Sequence, residues 1–383
     1  MASRKTICID ARYIRERPSG IGWYVQVLVD QVPALCPDLD VLLLKHPKAP
    51  SRLSQAPNVR EVVVRQEANG PATLLWLPRV VDLRGVDLFH ATFNILPASL
   101  PMKTLVTLCD VMWIKHPEWA RSPGLLRGMV ETAFFRRGIR QALRSATRIA
   151  AISEATRQEI GSVDPRALAK TSVTLLGISE EFRPLEGEDG ARAIAAARGR
   201  WLPGAGRYVL AVGQFAGYKN HERVVRAFAR AFRDEHDVHL GLVQRLGEGE
   251  RVLRPIARAL GVDDRVHFVS GVPLHDLVAL YNGATSLCHP SLYEGYGNPP
   301  GEALACGCPV ITSNCSSMPE VSKDAARYVD ATDVEDIARA LREVASDEAL
   351  RARMRERGLA RAKELSWRRF AEENVAIYRE LLA

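Results

Sequence analysis

Short β-branched runs alternate with amphipathic helical stretches along almost the whole 383-residue chain, and the alternation starts afresh near residue 208. Strands separated by helices in this rhythm close as parallel sheets, because parallel neighbours need a crossover connection of a dozen residues or more. The fold class is therefore α/β. In the first half, strands are expected at Lys5 to Asp10, Asp40 to Leu44, Val59 to Val64, Leu88 to His90, Thr104 to Leu108 and Ser145 to Ala151, with a helix from about Gly22 to Gln31 after a loop through Pro18-Ser19-Gly20. In the second half they are expected at Tyr208 to Gly213, His239 to Val243, Val266 to Ser270, Thr285 to His289 and Pro309 to Thr312, with helices at Glu222 to Phe232 and His275 to Asn282. At roughly 100–200 residues per domain the length suits two Rossmann-like domains. The stretch 182–206, rich in Gly, Ala, Arg and Glu and holding Pro184 and Pro203, reads as the passage between them, which puts the domains at residues 1–183 and 206–365. Residues 333–383 are strongly helical, and Ser366-Trp367 marks a fresh start, so a last helix over about 367–383 can fold back onto the first domain.

Composition narrows the partners. With 47% hydrophobic and 25% charged residues, the chain is neither disordered nor a disulfide scaffold, and no apolar run approaches the ~20 residues of a membrane span. A strand beginning at Lys5 leaves no room for a secretory leader, so a cytoplasmic location is expected. The net charge of +7 is unevenly placed: residues 1–180 carry 24 Lys and Arg against 16 Asp and Glu, and residues 181–383 carry 28 against 29. An excess confined to one half argues against a nucleic-acid binder and for something anionic meeting the first domain. The seven cysteines suit a reducing compartment; Cys306-Gly307-Cys308 has no second pair to complete a zinc site. Asp38-Leu39-Asp40 sits at an ordinary helix-to-strand connection, so no metal is expected there.

Three turns can hold a ligand. Gly20-Ile21-Gly22 follows the first strand, where glycine lets backbone N–H groups approach a phosphate, or simply gives a helix start the backbone freedom it needs. Val25 stands where a dinucleotide fingerprint needs a third small residue, which argues against a nicotinamide site. Gly213 ends a strand and is followed by Lys219-Asn220 before a helix; in a chain with 9 Lys and 43 Arg, a lysine at this mouth suits a diphosphate. It is not a P-loop, because neither Ser nor Thr follows the lysine. The richest segment is His289-Pro290-Ser291-Leu292-Tyr293-Glu294-Gly295-Tyr296-Gly297-Asn298-Pro299-Pro300-Gly301-Glu302-Ala303. Its glycines and prolines exclude one continuous helix, so a loop carrying Glu294 should lead into a helix capped by Asn298, with Pro299 first and Glu302 in the opening turn. Two carboxylates beside the N–H groups of Gly295, Tyr296 and Gly297 offer acceptors for sugar hydroxyls next to donors for phosphate.

These residues resemble glycosyltransferase family 4, the retaining nucleotide-sugar transferases of GT-B fold, over nearly the whole chain. The likeness rests on two Glu with seven residues between them, Gly-x-Gly inside that interval, the following Gly307-Cys308-Pro309-Val310, the two glycine turns, and Ser366-Trp367 at a final crossover helix. It implies two Rossmann-like domains facing a central cleft, and transfer of a hexose from a nucleoside-diphosphate sugar to a saccharide or lipid-linked acceptor in glycan or polysaccharide biosynthesis. Many bacterial relatives with this motif context use mannose. By resemblance Glu302 would hold the ribose hydroxyls, Glu294 a donor-sugar hydroxyl, Lys219 the diphosphate, Gly22 the distal phosphate, and the backbone of Gly295 to Asn298 the sugar and phosphate, with Gly20, Gly213 and Asn220 at the same site. No metal or other cofactor is required in that scheme. Two departures stand out: Tyr218 replaces an Arg common before the lysine, and Cys109-Asp110 follows the strand where relatives often carry His or His-Asp. Asp110 is the expected catalytic group there.

Arg136, Arg140, Arg144 and Arg148 recur every four residues among Met129, Val130, Phe134, Ile139 and Leu143, a stripe that is either a solvated helix face or a seat for an anionic acceptor or membrane surface. A sugar-nucleotide epimerase of the same fold, and a nucleotide-sugar-binding subunit without chemistry, are the alternatives to transfer.

Overall fold

A computed structural model describes residues 4–16, 20–120, 125–244 and 249–383. Pro18 and Ser19 of the first glycine turn lie outside the described residues. The chain divides into two compact units, Met1–Gly177 with Trp367–Ala383, and Ile178–Ser366.

The first unit is built on a seven-stranded sheet in the order β3-β2-β1-β4-β5-β6-β7, formed by β1 (Thr6–Asp10), β2 (Asp40–Lys45), β3 (Val59–Val63), β4 (Leu88–Ala91), β5 (Lys103–Leu108), β6 (Arg148–Ala151) and β7 (Thr171–Val173). Every pairing is parallel. Central strands such as β1 and β4 are buried on both faces, as the near-continuous apolar runs require. The strands differ from those expected at β6 and at β7, the latter an additional strand. The helix Leu125–Ser145 runs through Ser145, so β6 starts at Arg148; and β7, only three residues long, has too few side chains to show a period. The last helix, Trp367–Leu382, packs in this unit: Phe370 meets Tyr24 edge-on at 6.0 Å, and the Tyr378 hydroxyl lies 2.6 Å from buried His90 Nδ1. Asp38, of the Asp-x-Asp pair, is held by Arg379 at 3.0 Å.

The second unit carries a six-stranded sheet, β10-β9-β8-β11-β12-β13, from β8 (Arg207–Val212), β9 (Val238–Gln244), β10 (Val266–Ser270), β11 (Ser286–His289), β12 (Val310–Ser313) and β13 (Ala326–Val329). One core, with Val224, Phe228, Ile337 and Leu341, fills one side of the sheet; another, with Tyr208, Leu280, Leu304 and Val310, fills the other. The stretch expected to pass between domains belongs here instead. Residues 187–201 form the helix Gly187–Trp201, whose Ile194, Ala197 and Trp201 recur at helical spacing and join the second core, while Arg200 and Trp201 Nε1 donate to Asp276 Oδ2 at 3.0 and 2.7 Å. The unit boundary accordingly falls at Gly177 and Ile178.

In each sheet the strand order reverses once, between β1 and β4 and between β8 and β11. Loops leaving the carboxyl ends of strands on either side of such a reversal diverge and leave a crevice, the usual ligand position in open α/β sheets. In the second unit those loops are the ones that carry Gly213 to Lys219 and residues 290–297.

Candidate active site

Where β8 ends, Gly213 has φ +149, and the aliphatic stem of Lys219 lies 3.7 Å from where its Cβ would stand. A single turn, Gly217–Lys219, leads to Asn220, left-handed at φ 64 and buried. Asn220, expected at the donor site, has its side chain committed within the fold: Nδ2 donates to the carbonyls of Pro290 at 2.9 Å and Ala331 at 2.7 Å, and Oδ1 accepts from Arg223. It therefore clamps this turn to the loop after β11, as does the bond from Leu292 N to the Tyr218 carbonyl at 2.7 Å.

The clamp brings Lys219 onto Glu294. Glu294 Oε1 accepts from Lys219 Nζ at 2.6 Å, Ser291 Oγ at 2.8 Å and His289 Nε2 at 2.9 Å. Burial opposes both charges, but each supports the other: the Glu294 carboxyl is pulled down to about 2 by Lys219 and His289, and the Lys219 ammonium is held above its ordinary range by Glu294. The pair is ionic at neutral pH.

The loop and helix that follow differ in detail from the expected capping. The helix Asn298–Ala305 is capped by Gly297, not Asn298, and Glu302 stands in its second turn rather than its first. Gly297 takes φ 104, which a side chain strongly disfavours, and a Cβ there would meet Met318 Cε at 2.2 Å. Gly297→Ala should therefore destabilise the second unit by about 2–4 kcal/mol through backbone strain and overpacking together, measured by denaturant unfolding; a change below 1 kcal/mol would refute this local geometry. Ser317 Oγ secures the loop by sharing its hydroxyl hydrogen between the carbonyls of Tyr296 at 2.6 Å and Glu294 at 3.0 Å. Partly buried Glu302 accepts from the Tyr281 hydroxyl at 2.9 Å. Burial pushes its carboxyl up to about 7, against the opposing pull of Tyr281 and Lys219. Lys219 thus acts on both carboxyls. Tyr281, His289 and Ser291 were not singled out from the sequence; His289 and Ser291 stand in the segment itself, and Tyr281 is marked only by its contact.

In the first unit, Gly20 and Gly22 begin the helix Gly20–Leu35, with Gly20 exposed and Gly22 buried. Asp110 follows β5, and its Oδ1 accepts from Met112 N at 2.9 Å at the start of the short helix Met112–Lys115. Burial, reinforced by the Asp110 charge, pushes the Cys109 thiol far above its ordinary range, so it is no thiolate. The arginine stripe is only partly present. Arg140 and Arg144 are exposed, but Arg136 turns inward to donate to the Ile114 carbonyl at 3.2 Å, and Arg148 lies on β6, bonded to Ser172 at 2.9 Å. No helix among the described residues is long and apolar enough to cross a membrane.

Residues 19–173 match the family model described as "Glycosyl transferase 4-like domain", and residues 198–361 match that of "Glycosyl transferases group 1". The chain belongs to the GT4-type glycosyltransferases. Its similarity to O-antigen chain mannosyltransferase B of Escherichia coli runs over 382 residues at 26% identity, covering 95% of this chain and 96% of that one. Among solved structures, this glycosyltransferase resembles sucrose-phosphate synthase from Thermosynechococcus elongatus with a TM-score of 0.73 at 20% identity, covering 99% of each chain. It also resembles Anabaena HepE in complex with UDP and glucose, with a TM-score of 0.71 at 15% identity, covering 99% of this chain and 100% of the other. The two parallel-sheet units are the Rossmann-like domains of the GT-B fold.

Proposed function

We propose that the second unit binds a nucleoside-diphosphate sugar and that the enzyme transfers its hexose, of the mannose class, to a saccharide or lipid-linked saccharide acceptor with retention of anomeric configuration, in the synthesis of a glycan or polysaccharide. The observation that carries this reading is the pairing of Lys219 with Glu294 at the β8/β11 reversal, with Glu302 within the field of the same ammonium and its carboxyl shifted the opposite way. A diphosphate needs the ammonium, a sugar hydroxyl needs a carboxylate held ionised, and the paired hydroxyls of a ribose need a second carboxyl. The mannose class is supported by the similarity to the Escherichia coli mannosyltransferase, and the nucleotide by the HepE likeness.

Glu294 takes a donor-sugar hydroxyl, Glu302 the ribose, and Lys219 the diphosphate, alongside the backbone of Gly213 and of residues 295–298, from Gly295 through Tyr296 and Gly297 to Asn298. In the first unit Asp110 is the catalytic-site group on the acceptor side, and the helix start at Gly20 and Gly22 is its phosphate-binding end. The bond to the leaving diphosphate breaks through an oxocarbenium-like state, and the departing phosphate takes the acceptor proton. Charge on that phosphate is carried by Lys219 and backbone donors without a metal, so turnover should survive a chelator unchanged. A panel of nucleoside-diphosphate sugars, scored by nucleotide release with and without acceptor and by the anomeric configuration of the product, tests the whole reading. Release that depends on acceptor supports transfer, interconversion of free donor would indicate an epimerase, and binding without turnover a silent subunit.

The exposed face of the helix Leu125–Ser145 supports a peripheral seat at the cytoplasmic face of an anionic membrane. Leu126, Met129 and Val130 are exposed toward one end, and Arg137, Arg140 and Arg144 toward the other. Reversing the charges of Arg140 and Arg144 should reduce sedimentation with phosphatidylglycerol vesicles several-fold and leave neutral vesicles unaffected. Equal sedimentation of both proteins would remove this seat.

A further inference from the structure

Among the described residues, the three donors to the Glu294 carboxylate converge on one of its oxygens. Lys219 Nζ, Ser291 Oγ and His289 Nε2 each reach Oε1, at 2.6, 2.8 and 2.9 Å, and among the described residues Oε2 has no hydrogen-bond partner. The protons follow from this geometry. A carboxylate oxygen only accepts, so each contact requires its hydrogen on the partner: on His289 Nε2, which also lies 3.1 Å from Ser291 Oγ, and on the Ser291 hydroxyl. Neither residue can follow a swinging carboxylate. His289, 3% exposed, closes β11, and its carbonyl is held by Thr312 Oγ1 at 2.8 Å; the Ser291 carbonyl is held by Ser313 Oγ at 2.6 Å, so both are tied to β12. An ammonium on a flexible four-carbon stem would by itself let the two oxygens exchange by rotation of the carboxylate.

We propose that His289 and Ser291 are positioning residues that pin Oε1 of Glu294 inside the protein and thereby reserve Oε2, with both its lone pairs, for one hydroxyl of the donor sugar. The same arrangement leaves Lys219 two N–H groups for the diphosphate. It rests on the assignment of Glu294 to the donor sugar, and it makes His289 and Ser291 selective for the sugar rather than the nucleotide.

The test compares His289→Leu, Ser291→Ala and His289→Gln in the full chain, with binding of the nucleoside diphosphate and of the intact nucleotide sugar measured separately beside KM and kcat. Glutamine is informative because its amide N–H reaches about as far as Nε2. His289→Leu and Ser291→Ala should lower kcat/KM and nucleotide-sugar affinity about tenfold while nucleoside-diphosphate affinity stays within about twofold, and His289→Gln should recover most of the loss. Ser291→Ala removes little volume and keeps the test open if the leucine variant does not fold. Equal loss for nucleotide and nucleotide sugar, no loss at all, or a glutamine variant no better than leucine would each overturn the positioning role. Glu294→Gln separates the two levels: if it leaves sugar-nucleotide turnover intact, the assignment of Glu294 is wrong, whereas if it impairs turnover and Ser291→Ala and His289→Leu do not, the positioning inference alone is wrong.

Discussion

Lys219→Met should lower turnover by about 10²–10³-fold and destabilise the second unit by about 3–5 kcal/mol, two losses with separate causes. The first follows from the proposed role of Lys219, the loss of a preorganised cation from the place where charge would develop on the leaving diphosphate. The second is independent of substrate: the Lys219 side chain is 10% exposed and that of Glu294 9%, so methionine strands an anion in the interior with only His289 and Ser291 as neutral donors. The double variant Lys219→Met with Glu294→Gln should therefore regain most of the stability and none of the turnover. Urea unfolding of the three proteins at neutral pH checks this, and a double variant no more stable than Lys219→Met would show that the buried charge is not the cause. The pH dependence has a definite sign. Because Glu294 is depressed from 4.5 to about 2 in the folded protein, its contribution is present above pH 4.5 and is lost as pH falls through that window. In Lys219→Met this acid-dependent loss should shrink or vanish, because without the ammonium the folded-state carboxyl of Glu294 rises toward or above its unfolded value.

Glu302 should show the opposite behaviour. Its carboxyl is raised from 4.5 to about 7, so in that interval the unliganded folded protein holds a proton that the unfolded chain releases. Stability then falls as pH rises from 4.5 to about 7, and Glu302→Gln, always neutral, should be more stable than the parent at pH 8 by about 1–3 kcal/mol. Binding runs the other way. With the ribose at Glu302 as proposed, its two hydroxyls donate to a carboxylate far better than to a neutral carboxyl, so nucleoside-diphosphate affinity should climb with pH up to about 7 and level off above it. Glu302→Gln should bind about 10²-fold more weakly at pH 8 and lose the pH dependence. Calorimetric titration from pH 5.5 to 8.5 measures both; a parent enzyme with flat affinity across that range would contradict the assignment of Glu302.

Much of the candidate site was legible along the chain because its signals are local. Glu294, Gly297 and Glu302 lie within one segment whose glycines and prolines permit only a loop entering a helix. Lys219 was legible as a rare lysine at a strand end. Where the expectation slipped, the competing effect was in each case a contact distant in sequence. Gly297, left-handed and with Met318 where a side chain would stand, takes the cap position expected of Asn298; Asn220 closes on Pro290 and Ala331, and residues 187–201 become a packed helix because Asp276 and the core beneath it are there to receive them. Arg136 leaves its stripe for the Ile114 carbonyl on a neighbouring helix.

Strand order is the same lesson at a larger scale. Apolar strand runs alternating with helical periods suffice to dictate parallel α/β units, since crossover helices then cover both faces of each sheet. Which oxygen of Glu294 is held, which carboxyl ionises early and which late, and which loops share a crevice are set by folding. Those properties depend on burial and on donors brought together from β8, β11 and β12, and neither desolvation nor a hydrogen bond to Lys219, 75 residues away from Glu294, is written at any one position of the chain.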